Sequence, residues 1–405
     1  MSDPSATAEQ PIYLDYQATT PVDPRVAEAM WPWLTERFGN PHSVHHSFGQ
    51  AAEQAVEAAR AEIAALIGAE PREVVFTSGA TESNNTAIKG AAHFHAEFGK
   101  RHLVTTAIEH KCVLESCKRL EREGFEVTVL PVEPDGLLDL DRLAAAIRDD
   151  TVLVSVMAAN NEIGVLQPIE QIGALCRERG VYFHTDAAQA VGKIPLDVKA
   201  MNVDLLSLSG HKLYGPKGIG ALYLRRRPRV RIEPLLDGGG QERAVRSGTV
   251  PAPLAVGLGE GCRIAGAEMD AEAARLWQLQ RRLRERLAAG LPDVRFNGHA
   301  ERRLPGNLSV TVPGLDAETL IEHTPGLAFS TASACSSASV EPSYVLSALG
   351  LGDADAAASI RLGLGRMTTE QEVDAAADEL CRVAARLRAE GKTRLTGAAA
   401  RAAGE

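Results

Sequence analysis

Six short apolar runs punctuate the middle of this chain, at 103–106, 125–130, 152–157, 181–184, 204–208 and 219–224. They are nearly continuous in apolar residues rather than alternating, which is the pattern of strands covered on both faces. Helical stretches separate several of them; within 168–179, Ile169, Ile172 and Leu175 share one face. A chain that alternates strand and helix in this way is constrained to an α/β fold with a mostly parallel sheet. Such sheets bind ligands beyond the carboxyl ends of their strands. Polar residues fall at those ends: His110 after 103–106, Asn160 and Asn161 after 152–157, Asp186 after 181–184 and Lys212 after 204–208. Four strand ends with reactive side chains point to one shared site.

A length of 405 residues exceeds a single small core and implies one large and one smaller domain. Residues 1–11 read as a disordered arm and 12–255 as the large domain, with its N-terminal segment on the small one. Residues 256–390 read as a helical connector plus a small α+β domain, and 391–405 as a disordered tail. Helix signals include Asp23-Pro24, an N-cap with proline at the first helical position. The face Ala52, Val56, Ala59, Ile63 and Leu66 recurs at helical spacing and is closed by Gly68. The connector helix is read over 253–289, with strands near 307–313 and 358–362 beyond it and a last helix carrying Val373, Ala376, Leu380, Val383 and Leu387.

A formal net charge of −10 argues against a general nucleic-acid binder. No apolar run approaches the ~20 residues needed to cross a bilayer. The first ten residues match neither a secretion signal nor an Arg-rich transit peptide. Six cysteines without a C-x-x-C motif fit reduced thiols, so the expected location is the cytoplasm. His42, His45 and His46 crowd one loop without a nearby acid or cysteine at ligand spacing, and loop contacts are preferred to a metal. The run Arg225, Arg226, Arg227, Arg229 and Arg231 reads as a solvated hairpin, with docking of an acidic partner as the sharper alternative.

Three local signals carry chemistry. In Ser209-Gly210-His211-Lys212, Gly210 permits a tight exit from a buried strand. A lysine at the mouth of an apolar site acts as an amine nucleophile towards an aldehyde; a surface lysine after a strand is the plainer alternative. Ser78-Gly79-Ala80-Thr81-Glu82-Ser83-Asn84 joins a strand to a helix start, where unpaired amides and the helix dipole suit an anion such as phosphate. An ordinary N-cap would look the same. Asp186 suits a protonated ring nitrogen, Gln189 lies on the same face of a helical turn, and His110 is placed to lie against the ring or shuttle protons. Amine, phosphate cradle and acid are what pyridoxal 5'-phosphate requires.

The chain closely resembles the cysteine desulfurases, class-V aminotransferases among the fold-type-I pyridoxal-phosphate enzymes. The resemblance spans about Ile12 to Leu387 and rests on TSGATESNN, IEHK, NNEIGVLQPI, HTDAAQAVGK, SLSGHKLYGPKGIGALY, GGGQERAVRSGT, SACSSASVEPSYVL and IRLGLG. It implies a mostly parallel seven-stranded sheet plus a smaller α+β domain. It further implies that Lys212 carries the cofactor as an imine, that Asp186 pairs the ring nitrogen, and that Gln189 contacts the ring hydroxyl. His110 would stack on the ring and act in acid–base steps. Ala80, Thr81, Ser209 and His211 would bind the phosphate, with Thr249 supplied by the other subunit of a homodimer. Asn161, also beside the cofactor, and Arg361 would hold the carboxylate of L-cysteine. Cys335, in a small polar loop, would accept sulfur as a persulfide and release L-alanine; any iron–sulfur ligation by it would be transient, with no permanent metal.

The implied acceptors are an iron–sulfur scaffold or another sulfur-acceptor protein, including those of tRNA thiolation and cofactor synthesis. Selenocysteine lyase or another class-V aminotransferase is the alternative activity. Ala332 and Ser336 stand where members often have glycine and threonine. The tail after Gly391 lacks the aromatic, apolar extension with which housekeeping members dock the scaffold.

Overall fold

The computed structural model describes residues 10–331 and 343–391. Cys335, Ala332, Ser336 and the segment after Gly391 lie outside the described residues. In chain order the elements are β1 (Ile12–Tyr13), α1 (Pro24–Thr35), α2 (Ser47–Leu66), β2 (Val74–Thr77), α3 (Ala80–Ala96), β3 (His102–Thr106), α4 (Lys111–Arg122) and β4 (Glu126–Leu130). There follow α5 (Leu140–Ala146), β5 (Thr151–Ser155), α6 (Ile169–Arg179), β6 (Tyr182–Asp186), β7 (Leu205–Ser209), β8 (Gly220–Leu224) and α7 (Ala252–Gly290). The chain closes with β9 (Arg295–Phe296), β10 (Asn307–Thr311), α8 (Ala317–Glu322), β11 (Leu327–Ala328), β12 (Ser330–Thr331), α9 (Tyr344–Ala348), α10 (Asp353–Ala357), β13 (Ser359–Gly363) and α11 (Glu370–Ala389).

Two compact units result. The larger comprises Thr19–Asn161 and Val165–Ala271, and the smaller combines the N-terminal segment to Ala18, Glu162–Gly164 and the chain from Glu272 onward. The divide therefore falls inside α7 rather than at its start near residue 255. The helix signals read from sequence have physical counterparts. Asp23 caps α1 by accepting from the Arg25 amide, with Pro24 at its first position. His46 caps α2 through Nδ1, accepting from the Gly49 amide at 3.2 Å, which gives one loop histidine a structural task. Val56, Ala59 and Ile63 are buried on the inner face of α2.

The seven-stranded sheet of the larger unit has the order β2-β8-β7-β6-β5-β3-β4. Strands β7, β6, β5, β3 and β4 run parallel, and β8 runs antiparallel to both β7 and β2. The reversal at β8 has a simple cause. Only residues 210–219 separate β7 from β8, fewer than the dozen or more that a parallel crossover needs. One consequence matters for the site: Gly220, the first residue of β8, pairs with Thr77 on one side and Ser209 on the other. The carboxyl ends of β2 and β7 are thus held to either side of one glycine. A Cβ at Gly220 would come within 2.7 Å of the Gly79 Cα, so the close approach depends on its absence.

The basic run beyond β8 is not uniformly a solvated hairpin. Arg225 is buried, donating from Nε to the Val203 carbonyl and from Nη2 to that of Val198. In the smaller unit, β12-β13-β10-β9 form an antiparallel sheet and β1 pairs with β11 in parallel. Its core is aliphatic: Leu276, Leu279, Leu283 and Leu287 of α7 and Val373, Leu380, Val383 and Leu387 of α11 cluster with Leu308, Val310, Ile360 and Leu362 of the sheet. Thr369 and Glu372 form a capping box at the start of α11. No helix among the described residues is long and apolar enough to cross a membrane.

Candidate active site

Asp186 ends β6 at the carboxyl edge of the sheet and is 5% exposed. Its two carboxylate oxygens are held separately: Oδ1 accepts from the Ala188 amide at 2.9 Å and Oδ2 from Asn84 Nδ2 at 2.7 Å. Each oxygen of this buried carboxyl group is thus held in place by its own donor. Asn84 comes from α3, a hundred residues earlier in the chain, and the sequence reading did not select it. Gln189, one turn beyond Asp186, is buried and accepts from Lys193 Nζ at 3.1 Å.

On the neighbouring strand β7, Ser209 is the last residue and Lys212 closes a single 3₁₀ turn, Gly210–Lys212. The tight exit expected at Gly210 is present, because a Cβ there would meet the Pro216 carbonyl at 2.7 Å. Thr19 and Thr20 strap this turn. The Thr20 amide and hydroxyl both donate to the His211 carbonyl, at 2.9 and 3.1 Å, and Thr19 Oγ1 lies 3.1 Å from His211 Nδ1. Burial, with Lys212 adding a smaller effect of the same sign, lowers the His211 pKa to about 4. His211 is therefore a neutral hydrogen-bonding group at physiological pH.

Across Gly220 from Ser209, helix α3 begins at Ala80 behind Gly79, which has φ of 151°. The amides of Ala80, Thr81 and Glu82 have no helical carbonyl one turn back to bind. A Cβ on Gly79 would stand 3.7 Å from Ser209 Oγ, so its absence keeps the space between the helix start and β7 open. The Thr81 side is exposed. Glu82, in the first turn, accepts from the Ser78 amide at 2.7 Å and from Arg246 Nε at 2.9 Å, and its pKa is lowered by these bonds against the opposing effect of burial.

His110 follows β3 and is the N-cap of α4, its Nδ1 accepting from the Cys112 amide at 3.2 Å. Beside it, Glu109 is fully buried: Oε1 accepts from Thr106 Oγ1 and from the Met157 amide, both at 2.8 Å. Burial raises its pKa to about 8, with Asp186 contributing in the same direction. Asn160 Nδ2 donates to the Ile108 carbonyl at 2.8 Å, and Asn161 follows it in the stretch past β5. Beneath this edge, His184 of β6 bridges Ser155 Oγ at 2.8 Å and Ser207 Oγ at 3.0 Å, tying three adjacent strands together. Burial lowers its pKa to about 3, so it is neutral.

The larger unit thus brings Ala80, Thr81, His110, Asn161, Asp186, Gln189, Ser209, His211 and Lys212 to one edge of one sheet. Thr249 lies on an exposed stretch after the three left-handed residues Glu242, Arg243 and Ala244. That stretch is anchored by a buried bidentate pair, Arg60 to Glu242 at 2.7 and 2.9 Å. In the smaller unit, Arg361 of β13 is 1% exposed and donates from Nη2 to Asp15 Oδ1 at 2.7 Å. Asp15 also accepts from Ser330 Oγ at 2.8 Å. Asn84 and Glu109 lie within TSGATESNN and IEHK without either motif giving them a role, and Cys112 and Asp15 lie in none of the quoted motifs. The polar bed fits pyridoxal phosphate: an amine at Lys212, a buried carboxyl at Asp186 held by donors on both oxygens, and a helix start behind Gly79.

Residues 12–376 match the family model described as aminotransferase class-V, and the chain belongs to that family. It is similar to the cysteine desulfurase of Mus musculus, with 57% identity over 379 residues covering 94% of this chain and 82% of that one. It is 55% identical over 379 residues to the cysteine desulfurase IscS of Rickettsia rickettsii (strain Iowa), covering 94% and 92%. Among solved structures it resembles a NifS-like protein, with a TM-score of 0.87, 38% identity, and 93% and 100% of the two chains covered.

Proposed function

We propose that this protein is a pyridoxal-phosphate-dependent cysteine desulfurase. It takes sulfur from L-cysteine, releases L-alanine and carries the sulfur as a Cys335 persulfide to acceptors in iron–sulfur cluster assembly and tRNA thiolation. It works as a cytoplasmic homodimer. The observation that carries the reading is Asp186, buried at a strand end with both oxygens held by donors, beside the strand that delivers Lys212. The likeness to cysteine desulfurases over almost the whole chain supports the choice of substrate.

When bound, the cofactor supplies an electron sink for charge that develops at the substrate Cα. Lys212 would hold it through its amine, and the same amine would move the substrate Cα proton. Asp186 keeps the ring nitrogen protonated, and Gln189 meets the ring hydroxyl. Ala80, Thr81, Ser209 and His211 hold the phosphate. Asn161 and Arg361 are the carboxylate-binding residues, the arginine suited to a bidentate grip. His110 covers the ring and handles protons. At Cys335 a sulfur–sulfur bond forms as the Cβ–S bond of cysteine breaks, so the thiolate is the required form.

Two surface features support the homodimer. Thr249 is exposed, as a residue offered to a neighbouring copy would be. Trp31, Leu34, Phe38 and Phe48 are exposed apolar side chains, Trp31 being 63% and Phe38 71% exposed, and the rings of Phe38 and Phe48 lie 5.5 Å apart, as an interface presents before it is covered. The deciding experiment is mass spectrometry of the protein after incubation with cysteine. One added sulfur on Cys335 and alanine in solution are expected, both lost in Cys335→Ala while the cofactor absorbance remains. Cofactor-loaded protein that releases no alanine would overturn the proposal.

A further inference from the structure

A chain of side-chain contacts links Asp186 to His110 within the larger unit. Asn84 Nδ2 lies 2.7 Å from Asp186 Oδ2 and 3.2 Å from Cys112 Sγ, and Cys112 Sγ lies 3.0 Å from His110 Nδ1. We propose that Cys112 is a positioning residue for His110: its thiol, with its own amide, fixes the ring as the neutral tautomer that carries the proton on Nε2. The inference rests on the reading of His110 as the proton-handling residue.

The direction of each hydrogen bond follows from what each atom can do. An ionised Asp186 oxygen only accepts, so the Asn84 amide must turn its NH₂ towards it. The opposite orientation would bring the amide oxygen to 2.7 Å from a carboxylate oxygen. The price of this orientation is visible: among the described residues, the buried Asn84 Oδ1 has no hydrogen-bond partner. The second N–H of the same NH₂ group points to Cys112 Sγ, which accepts it. The sulfur's own hydrogen is then left to face His110 Nδ1. The Cys112 backbone N–H reaches that same nitrogen at 3.2 Å, as the N-cap bond of α4. Two donors converge on Nδ1, so it holds a lone pair.

A proton on Nδ1 would set N–H against N–H, break the cap, and leave the thiol without an acceptor. The ring proton of the neutral imidazole must therefore sit on Nε2. The chemical consequence is an order of events. His110 enters the reaction able to give a proton from Nε2, and must give one before that nitrogen can accept one.

The test uses protein labelled with ¹⁵N-histidine, with and without cofactor, and long-range proton–nitrogen NMR spectra. His110 is identified by the signal missing from His110→Gln. The wild type is expected to show an unprotonated Nδ1 and a protonated Nε2 in both forms. Cys112→Ser, which keeps a hydroxyl donor, should retain that tautomer and the wild-type kcat to within about twofold. Cys112→Val, which removes the donor at similar volume, should raise the population protonated at Nδ1. It should also lower kcat for alanine release about fivefold, the equivalent of one neutral hydrogen bond, with KM unchanged. A wild-type ring protonated at Nδ1 would overturn the proposal. So would serine and valine variants that behave alike, since a packing role alone predicts that result. A failure of the desulfurase reading is separable, because it abolishes alanine in every variant while the tautomer remains measurable without turnover.

Discussion

Both units have aliphatic cores and buried polar side chains, but they differ in where the polar groups gather. The smaller unit buries leucines and valines from α7 and α11 against the aliphatic face of β10 and β13. The larger unit buries histidine, serine, threonine and carboxylic acids towards one edge of its sheet, among them Ser155, His184, Ser207, Glu109 and Asp186. Aliphatic packing gives stability that tolerates small changes of shape. Buried polar networks must be satisfied atom by atom and so fix geometry. The placement teaches where this molecule needs geometry fixed: at the carboxyl edge, where the reacting groups converge.

That contrast can be broken or sharpened by substitution. The largest effect is expected for Lys212→Ala, which should lower alanine release on the order of a thousandfold or more while leaving the denaturation midpoint near that of apoprotein. A comparable rate in the variant would mean that the edge residues are scaffold. Next comes Leu380→Ala in the aliphatic core, expected to cost about 2–5 kcal/mol in urea unfolding. The absorbance of bound cofactor should stay the same; a shifted band would erase the distinction between the two interiors. His184→Leu should cost about 1–3 kcal/mol by leaving the Ser155 and Ser207 hydroxyls unpaired. Unlike Leu380→Ala, it should also shift the cofactor band, since it loosens the strand that ends in Asp186.

The smallest effect concerns pH. The Glu109 pKa is raised from 4.5 to about 8 by burial. The folded state therefore holds this proton longer than the unfolded chain does, and stability falls as pH rises from about 4.5 to 8. His184 acts oppositely: lowered from 6.5 to about 3, it withdraws stability as pH falls through that range. Between 4.5 and 6.5 the two slopes oppose each other, and above 6.5 only Glu109 remains of the pair. Glu109→Gln should flatten the stability curve between pH 6.5 and 8 in urea titrations. An unchanged slope there would assign the pH dependence to other groups.

Much of the fold was legible because doubly covered strands cannot hide: the runs at 152–157, 181–184 and 204–208 became β5, β6 and β7 with small shifts at the ends. The direction of β8 required weighing the short link after Ser209, which apolar patterning ignores. Arg225 looked like one of five surface arginines, and only the three-dimensional path of the chain shows its guanidinium bonded inside. The same limit explains the site. Lys212, Asp186 and His110 stand out locally, each at a strand end. Asn84 and Cys112 are ordinary helix residues whose meaning comes from α3 and α4 meeting beside β6, a relation between positions 84, 112 and 186 that no window along the chain contains.

Strand β1 has a consequence for how the protein is made. Ile12 and Tyr13 pair with Leu327 and Ala328, and Leu14 sits in the cluster completed by α11. These residues are thus synthesised more than three hundred positions ahead of the partners they pair with. Synthesis order and assembly order are reversed for this strand, and a nascent polypeptide arrested before β11 would hold β1 without the partner it pairs with.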